Sequence, residues 1–288
     1  MRPIFAILAA AVLWGTSGTS LELGPDAATP LGVGALRIVV GAAALWVLAG
    51  RADHPRWRDH ALVLVVAGFG VAGYQSTFFT ATERSGVALG TIVALGSGPV
   101  FAGILDAAWF RRPPSAVWAR ATAVAVTGGA LLVAAQGGSA TLDAVGIACA
   151  LAAGASYAVY AIAVKALIED DVDSTMAMAA AFSVGAVVLL PVGLTQPLGW
   201  AVTLDGVVML AWLGVVTVGV AYALYGFGLR SLPTSTAVTL TLAEPVTAAL
   251  LGVLVLDERL APLGWVGAAL VVLGLALTAR RPVTAVPE

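Results

Sequence analysis

Glu244 is the residue whose type and surroundings most strongly suggest chemistry. It lies in the middle of a long uncharged stretch, after a hydroxyl-rich run over residues 234–241 that suggests a hydrated wall. Pro245 beside it has no backbone N–H and therefore predicts a helix kink, as does Pro99 earlier in the chain. A carboxyl group facing water at such a kink can exchange protons or bind a substrate amine. The open alternative is a glutamate that caps free backbone groups or pairs with Arg37.

Arg37 is the cation that matches Glu244. It lies one or two turns inside an apolar stretch, where it can neutralise a substrate carboxylate. Alternatively it holds helices together by pairing with Glu22 or a carbonyl group, or extends its side chain to the membrane surface; we favour this structural role. Asp106 is a second carboxylate, near the end of an apolar stretch. It precedes Arg111 and Arg112, and we expect it to form an ion pair with them at the surface.

Aromatic and hydroxyl-bearing residues recur at helical spacing. Trp14 and Ser17 are three residues apart, as are Tyr157 and Tyr160, so each pair shares one face of a helix. A tyrosine hydroxyl needs a partner in lipid, which favours inward positions. We therefore expect a substrate-binding surface, with ordinary aromatic packing as the open alternative for any single residue. Its candidate residues are Trp14, Ser17, Tyr74, Thr77, Tyr157, Tyr160, Tyr222, Thr241 and Glu244.

The composition predicts a protein that lies in a membrane. Hydrophobic residues make up 60% of the 288 positions and charged residues only 10%, whereas about a quarter of a soluble domain is charged. Residues 4–21, 61–82 and 174–204 contain no charge, and each stretch can cross the ~30 Å of hydrocarbon as a helix. A net charge of −2 provides no basic face for nucleic acid. With Cys149 as the single cysteine, we expect no disulfide framework and no cysteine-based metal site. We expect no other metal site and no cofactor.

Glycine, proline and charged residues divide the chain into ten predicted helices. Lysine and arginine are concentrated on one set of connections, ten against only Arg84 and Arg259 on the other. By the positive-inside rule we expect a bacterial-type inner membrane protein with both termini in the cytoplasm. The first stretch is expected to be a permanent span and not a cleaved signal. The predicted helices cover residues 3–22, 31–49, 61–82, 86–109, 116–135, 144–166, 174–195, 205–227, 233–255 and 262–279.

The two halves of the chain resemble each other. Ser97-Gly98-Pro99-Val100 corresponds to Ala243-Glu244-Pro245-Val246, and Arg84-Ser85 corresponds to Arg230-Ser231 at the same offset. Five helices per half is an odd number, so the second half must be inverted relative to the first. Such inverted repeats recur in secondary transporters, with a site near the midplane. The predicted units are a first repeat over 1–138, a second repeat over 139–281 and a short cytoplasmic tail over 282–288.

The second half also carries a recognisable pattern. The segment from Glu244 to Gly252, followed by Leu256-Asp257-Glu258-Arg259-Leu260, resembles the second-repeat signature of the EamA-type drug/metabolite transporters. The first repeat departs from that pattern, because Arg112 stands at the position equivalent to Glu258. The resemblance covers essentially the whole chain and implies ten helices in two inverted repeats. It further implies export of amino acids or related metabolites, without giving the substrate.

Three classes of function are compared on these grounds. The favoured one is a secondary active transporter that exports small metabolites by alternating access around a midplane cavity, and no Walker A motif is present for ATP hydrolysis. The alternatives are an intramembrane enzyme acting on a lipid carrier and a scaffold or sensor subunit. The acidic run from Glu169 to Asp173 has no histidine beside it in the sequence, so a solvated loop is the preferred interpretation. Expected partners are a small-molecule substrate, membrane lipid and optionally protons, with the protein acting as a monomer.

Overall fold

Ten helices account for almost all of the structure, a computed structural model that describes residues 1–50, 55–135 and 142–279. Each is long and apolar enough to cross a bilayer. The prediction of an all-α, ten-helix membrane protein is confirmed, and the predicted helix ends lie within three residues of those observed. The helices are α1 (Arg2–Glu22), α2 (Pro30–Ala49), α3 (Ala61–Ser85), α4 (Val87–Trp109), α5 (Ala116–Ala135), α6 (Ala144–Glu169), α7 (Ser174–Gly193), α8 (Leu204–Leu229), α9 (Thr234–Val255) and α10 (Pro262–Ala279).

Some sequence-based predictions concern residues outside these described ranges. They are the boundary between the predicted repeats at 138 and 139, and the tail over 282–288. Three of the arginines used in the charge count, Arg51, Arg280 and Arg281, also lie outside the described residues.

Because the connections are short, the helices alternate in direction and the bundle has two ends. We call one end the Met1 face; it holds Met1 and the connections over 55–60, 110–115, 170–173 and 230–233. The other end, the Gly86 face, holds Gly86 and the connections over 23–29, 142–143, 194–203 and 256–261. Ion pairs join connections within each face: Arg112 with Glu169 at the first, and Arg84 with Asp143 at the second.

The reversal between α3 and α4 takes place at one residue. Gly86 has a φ of 85°, a left-handed conformation that costs glycine little and any residue with a Cβ considerably more. The long apolar stretch over 61–109 therefore folds into two helices with no loop between them.

The helices pack in pairs that correspond between the two halves of the chain. Helices α3 and α4 of the first half both pack on α6 of the second half. In the corresponding way, α8 and α9 of the second half both pack on α1 of the first half. α2 packs on α7, and α5 packs on α10. The last pair approaches backbone to backbone, since a Cβ atom at Gly128 would lie 2.6 Å from the Gly267 carbonyl oxygen. Small residues permit this close approach in membrane bundles.

Two helices depart from regular α geometry where they pass through the bundle. α8 contains a π-helical segment, Trp212–Val220, which no pattern in the sequence predicted. α9 is interrupted at Thr241 and Leu242. Pro245 cannot donate to the Thr241 carbonyl oxygen, which accepts from the Glu244 N–H at 2.9 Å instead. Glu244 therefore stands at the first turn of the helix segment that continues to the Gly86 face.

The half of the bundle nearest the Met1 face is packed more tightly than the other half. In α7, every residue from Met176 to Phe182 is buried, whereas the remainder of that helix is mixed. α6 is likewise almost fully buried from Tyr157 to Leu167 but not before. In α9, burial is continuous from Ala237 to Leu242 and becomes intermittent from Ala243 onward. The interior is thus better enclosed on the Met1 side.

Candidate functional site: an aromatic cluster beside Arg37 and Glu244

The interior of the bundle holds an aromatic cluster that gathers side chains from α1, α3, α6, α7 and α8. The Trp14 ring lies 4.7 Å from the Tyr222 ring and 5.5 Å from the Tyr225 ring, centroid to centroid. The Tyr157 ring lies 5.2 Å from Tyr160 and 5.8 Å from Tyr74. All five tyrosines of the chain belong to the cluster. Its members are Trp14, Tyr74, Tyr157, Tyr160, Phe182, Tyr222 and Tyr225.

The π-helical segment of α8 explains how Trp14 is held. The indole Nε1–H of Trp14 donates to the Thr217 carbonyl oxygen at 2.8 Å, and Thr217 lies within the π-helical segment. The Thr217 hydroxyl donates to the Leu213 carbonyl oxygen at 2.7 Å. π-helical turns frequently occur at functional sites because they re-aim backbone groups. Here one such carbonyl group orients the largest side chain of the cluster.

The cluster is polar at a few defined points. The Tyr157 hydroxyl donates to Thr241 Oγ1 at 3.2 Å, and Thr241 Oγ1 donates to the Val238 carbonyl oxygen at 2.8 Å. The hydroxyl groups of Tyr160 and Tyr225 are buried and make no hydrogen bond of good geometry with the described residues. A buried hydroxyl without a partner costs about 1–3 kcal/mol. These hydroxyls therefore provide hydrogen-bonding capacity that a bound molecule or water can use.

Glu244 lies three residues beyond Thr241, on the Gly86 side of the cluster. Its carboxylate forms no hydrogen bond or ion pair with the described residues, and it is close enough to Arg37 for their charges to interact. The backbone at Glu244 touches α1, because a Cβ atom at Gly15 would lie 2.8 Å from the Glu244 carbonyl oxygen. This close approach places the glutamate next to the helix that carries Trp14.

Arg37 points into the same region from α2. Its Nη2 donates to Gln75 Oε1 at 2.8 Å, and the expected alternative partner, Glu22, is not the one it uses. The Nε–H of Arg37 is buried and has no partner among the described residues. The guanidinium charge reaches the hydroxyl groups of Tyr74 and Tyr222 as well as Glu244. The structure therefore brings Arg37 and Glu244 together without joining them.

The remaining candidates are placed as follows. Ser17 is half-buried on α1, one turn beyond Trp14 toward the Gly86 face. Thr77 is half-buried, and its hydroxyl donates to the Gly73 carbonyl oxygen of its own helix at 2.6 Å. Pro99 is buried within α4. Neither Ser17 nor Thr77 forms a side-chain hydrogen bond with the aromatic cluster, so we place both at its margin.

On the Met1 side, a polar network closes the bundle and corrects two expectations from the sequence. Asp106 is 1% exposed, and its carboxylate accepts from the backbone N–H of Ser235 at 2.6 Å, so it is not part of a surface ion pair. The acidic run from Glu169 to Asp173 was expected to be a solvated loop, but its first residue forms ion pairs. Glu169 pairs with Arg112 at 2.6 Å and with Lys165 at 3.3 Å. Sequence spacing gave no sign of the contacts made by Asp106 and Arg112, because their partners are far away in the chain; Lys165 and Glu169, in contrast, are only four residues apart on α6.

The hydroxyl-rich run of α9 is also different from the hydrated wall that we expected. Thr234, Ser235 and Thr239 are buried. Thr239 Oγ1 accepts from Trp118 Nε1 at 3.1 Å and donates to the Ser235 carbonyl oxygen at 2.8 Å. Thr239 is thus satisfied by α5 and by its own backbone, whereas the buried Thr234 hydroxyl has no hydrogen-bond partner among the described residues. The part of α9 that precedes Glu244 is therefore a packed core.

Comparison with known proteins identifies the fold family. The model of the EamA-like transporter family matches residues 1–134 and 144–280. The chain belongs to the EamA-like transporter family. Two curated relatives cover nearly all of it. It is 37% identical to the uncharacterized transporter YwfM of Bacillus subtilis (strain 168), over 96% of this chain and 93% of that protein. It is 29% identical to the threonine/homoserine exporter RhtA of Escherichia coli (strain K12), over 96% of this chain and 92% of that protein.

A solved crystal structure shares the fold. It aligns with a TM-score of 0.82 over 96% of this chain and 98% of the other, at 21% sequence identity. The family and the curated relatives are transporters and not enzymes, which removes the intramembrane enzyme from consideration. The protein is thus a multi-pass membrane transporter for a small-molecule substrate.

Sequence reasoning missed several residues of this site. Gln75 is a neutral residue with no charged neighbour in sequence, so nothing indicated that it binds Arg37. Phe182 was not a candidate because it lies in a mostly apolar helix with no other aromatic residue. Tyr225 did carry a signal, since it follows Tyr222 by three residues and shares its helix face.

Proposed function

We propose that this transporter is a secondary active exporter of small metabolites, with amino acids or related compounds as its substrates. The observation that carries the proposal is the placement of Arg37 and Glu244 beside an aromatic cluster inside the bundle, two opposite charges that form no ion pair with any residue that the structure describes. Charged groups inside a membrane protein are costly and usually serve transport or coupling. The resemblance to a threonine/homoserine exporter supports amino acids as the class to test first.

We further propose that the two halves are inverted five-helix repeats, over 1–138 and 139–281, that alternate around this site. The proposal is supported by the corresponding packing of α3 and α4 on α6 and of α8 and α9 on α1. In this arrangement substrate binds among Trp14, Ser17, Tyr74, Thr77, Tyr157, Tyr160, Tyr222, Thr241 and Glu244. The interruption of α9 before Pro245 and the proline of α4, Pro99, give each half a point at which a helix can bend.

Glu244 is the proposed coupling residue. In its protonated form it is neutral and releases a substrate amine, and in its ionised form it binds one. Exchange of a proton for the substrate at this carboxylate would couple export to a proton gradient. The tightly packed Met1 side and the looser Gly86 side correspond to a site that is closed toward one compartment.

Orientation follows from the charge count, with the Met1 face and both termini in the cytoplasm of a bacterial-type inner membrane. Reporter fusions at the C-terminus test it: an alkaline phosphatase fusion is expected to be inactive and a green fluorescent protein fusion to be bright. Active phosphatase at the C-terminus would overturn both the orientation and the proposed export direction.

The transport function itself is tested in proteoliposomes. Purified protein is reconstituted in vesicles loaded with a radiolabelled amino acid, with threonine and homoserine in the first set, and efflux is followed with and without a proton gradient. We expect gradient-stimulated efflux of at least one amino acid, absent from protein-free vesicles. If no amino acid in a full set exchanges across the vesicle membrane while the protein remains folded, the proposed substrate class is wrong.

A further inference from the structure

Arg37 has more hydrogen-bonding capacity than the protein uses. A guanidinium group carries five N–H donors in a planar fork that matches a carboxylate. The structure gives it one hydrogen bond, from Nη2 to Gln75 Oε1 at 2.8 Å. Its Nε–H is buried without a partner in the described part of the chain. A charged group in hydrocarbon would normally be paired, so the free donors indicate a place for an anionic group.

Gln75 explains why Arg37 remains available. Gln75 is 3% exposed, and its side-chain oxygen takes only one of the five donors. Because an amide is neutral, it orients the guanidinium without neutralising the charge. A glutamate at this position would form an ion pair and compete with any anionic ligand. The identity of residue 75 thus separates a structural arginine from a binding one.

Glu244 provides the opposite charge in the neighbourhood of Arg37. Its charge interacts electrostatically with that of Arg37, yet no ion pair within 4.0 Å joins the two residues. Two opposite charges held apart, each without a full set of partners, match a ligand that carries both signs. The hydroxyl groups of Tyr74 and Tyr222, two members of the aromatic cluster, lie near the guanidinium.

We infer that Arg37, oriented by Gln75, binds the carboxylate of a zwitterionic amino acid whose ammonium group faces Glu244. This inference rests on the proposed function and deepens it, because it names the residue that selects a free α-carboxylate. Arg37 is then a specificity-determining residue and Gln75 a positioning residue. The aromatic cluster accepts the substrate side chain and contributes little to recognition of the charged groups.

The test is a competition assay in proteoliposomes with labelled L-threonine as the probe. Unlabelled L-threonine, L-threonine amide (carboxylate blocked) and N-acetyl-L-threonine (amine blocked) are compared as inhibitors of threonine exchange. Wild-type protein is expected to bind threonine roughly ten- to a hundredfold more tightly than the amide, because the amide loses charge-assisted hydrogen bonds to Arg37. If another amino acid proves to be the better substrate, its own amide and N-acetyl derivative replace these probes.

Three variants locate the selectivity. Arg37→Gln is expected to abolish the preference for threonine over the amide, and Arg37→Lys to reduce it, since lysine lacks the planar fork. Gln75→Glu retains the shape of the side chain and is expected to lower threonine affinity roughly tenfold or more while leaving amide affinity unchanged. Arg120→Gln is the matched control, because Arg120 is an exposed arginine of α5, and it should behave as wild type.

The outcomes separate the inference from the proposed function. If wild-type protein exchanges no amino acid, the proposed function fails. If it exchanges amino acids but Arg37→Gln and Gln75→Glu, both folded by thermal unfolding, keep the full preference for the free carboxylate, the inference is wrong and the function stands. Should Arg37→Gln fail to fold, Gln75→Glu decides alone: unchanged threonine affinity overturns the inference, and a selective loss of threonine affinity supports it.

Discussion

Interior charged residues on the Met1 side of the bundle have more hydrogen-bond and ion-pair partners than those on the Gly86 side. On the Met1 side, Asp106 accepts from a backbone N–H at 2.6 Å. Lys165 donates to the Leu229 carbonyl oxygen at 2.6 Å and also pairs with Glu169. On the Gly86 side, Arg37 has one hydrogen bond and Glu244 has no side-chain partner in the described part of the chain. Burial is continuous on the first side and intermittent on the second.

This difference shows which buried charges hold the fold and which are available to a ligand. Buried polar groups are nearly always hydrogen-bonded, and removing one partner of a buried charge leaves an uncompensated group. The Met1-side network follows that rule and joins the two halves of the chain. The Arg37–Glu244 region departs from it. We therefore expect substitutions on the Gly86 side to change transport and substitutions on the Met1 side to change stability.

The largest effect is expected for Glu244→Gln. The amide keeps the size of the side chain but cannot exchange protons, so gradient-driven accumulation should fall to background while the protein remains folded. If Glu244 couples protons, exchange without a gradient should partly persist; if it mainly binds the amine, exchange affinity should also fall, because a charge-assisted bond is about twice as strong as a neutral one. The measurement is gradient-driven and counterflow transport over a range of pH. Normal accumulation with wild-type pH dependence would contradict both roles. It would also remove the functional difference that we expect between the Gly86 side and the Met1 side.

Asp106→Ala should produce the largest loss of stability. It leaves the Ser235 N–H buried without an acceptor, which costs about 1–3 kcal/mol. Thermal unfolding in detergent, followed by the fluorescence of a thiol probe or by size-exclusion chromatography, measures the change. Asp106→Asn keeps an acceptor oxygen and is expected to be much closer to wild type. Equal stability of Asp106→Ala and wild type would show that the Met1 side is not held by this contact.

Arg112→Gln is expected to have a smaller effect on stability. The Arg112 and Glu169 side chains are 40% and 29% exposed, and ion pairs with such exposure contribute about 0–1 kcal/mol. Because the pair bridges the connection after α4 and the end of α6, its loss should make the Met1 side easier to open. Labelling of a cysteine introduced at Ala166 by a soluble maleimide reports that opening, in a background with Cys149 replaced by serine. Faster labelling without a change in unfolding temperature is the expected result, and unchanged labelling would argue against a closing role.

The smallest effect is expected at the Arg84–Asp143 pair on the Gly86 face. The Arg84 hydrogen bond holds the pKa of Asp143 below its ordinary value, with the Gly146 N–H as a second cause. A lowered pKa in the folded state stabilises the protein above the pKa of the unfolded state, and this contribution is lost as the pH falls through the lower folded value. Asp143→Asn should therefore lower the unfolding temperature slightly at neutral pH, and the difference from wild type should shrink as the pH falls below about 4. Transport should not change.

The sequence was most informative about the helices and the residues that share their faces. Hydropathy, together with the glycine, proline and charged residues between apolar stretches, placed all ten helices. A bilayer permits few structures other than a helix for an apolar stretch of about 20 residues. Helical spacing also placed Tyr157 and Tyr160 on one helix face, and both rings lie in the aromatic cluster. These features depend on residues close in sequence, so a local pattern can reveal them.

The residues that the sequence did not reveal have partners far along the chain. Asp106 was expected to pair with arginines five and six residues away, but it binds a backbone group of α9. Gln75 binds Arg37 across two helices. The π-helical segment of α8 packs against α2 and α1, and no pattern in the sequence predicted it.

The amino-acid sequence by itself therefore determined that this protein lies in a membrane, how many helices it has and to which family it belongs. It also determined that a carboxylate lies beside a proline within one of the spans. The tertiary structure alone decided which buried charges are satisfied and which are free. The physical reason is that hydrophobicity and helical periodicity are summed over neighbouring residues, whereas the state of a buried charge depends on one or two atoms brought within about 3 Å by folding. For Arg37 and Glu244, that difference separates a structural ion pair from the binding site that we propose.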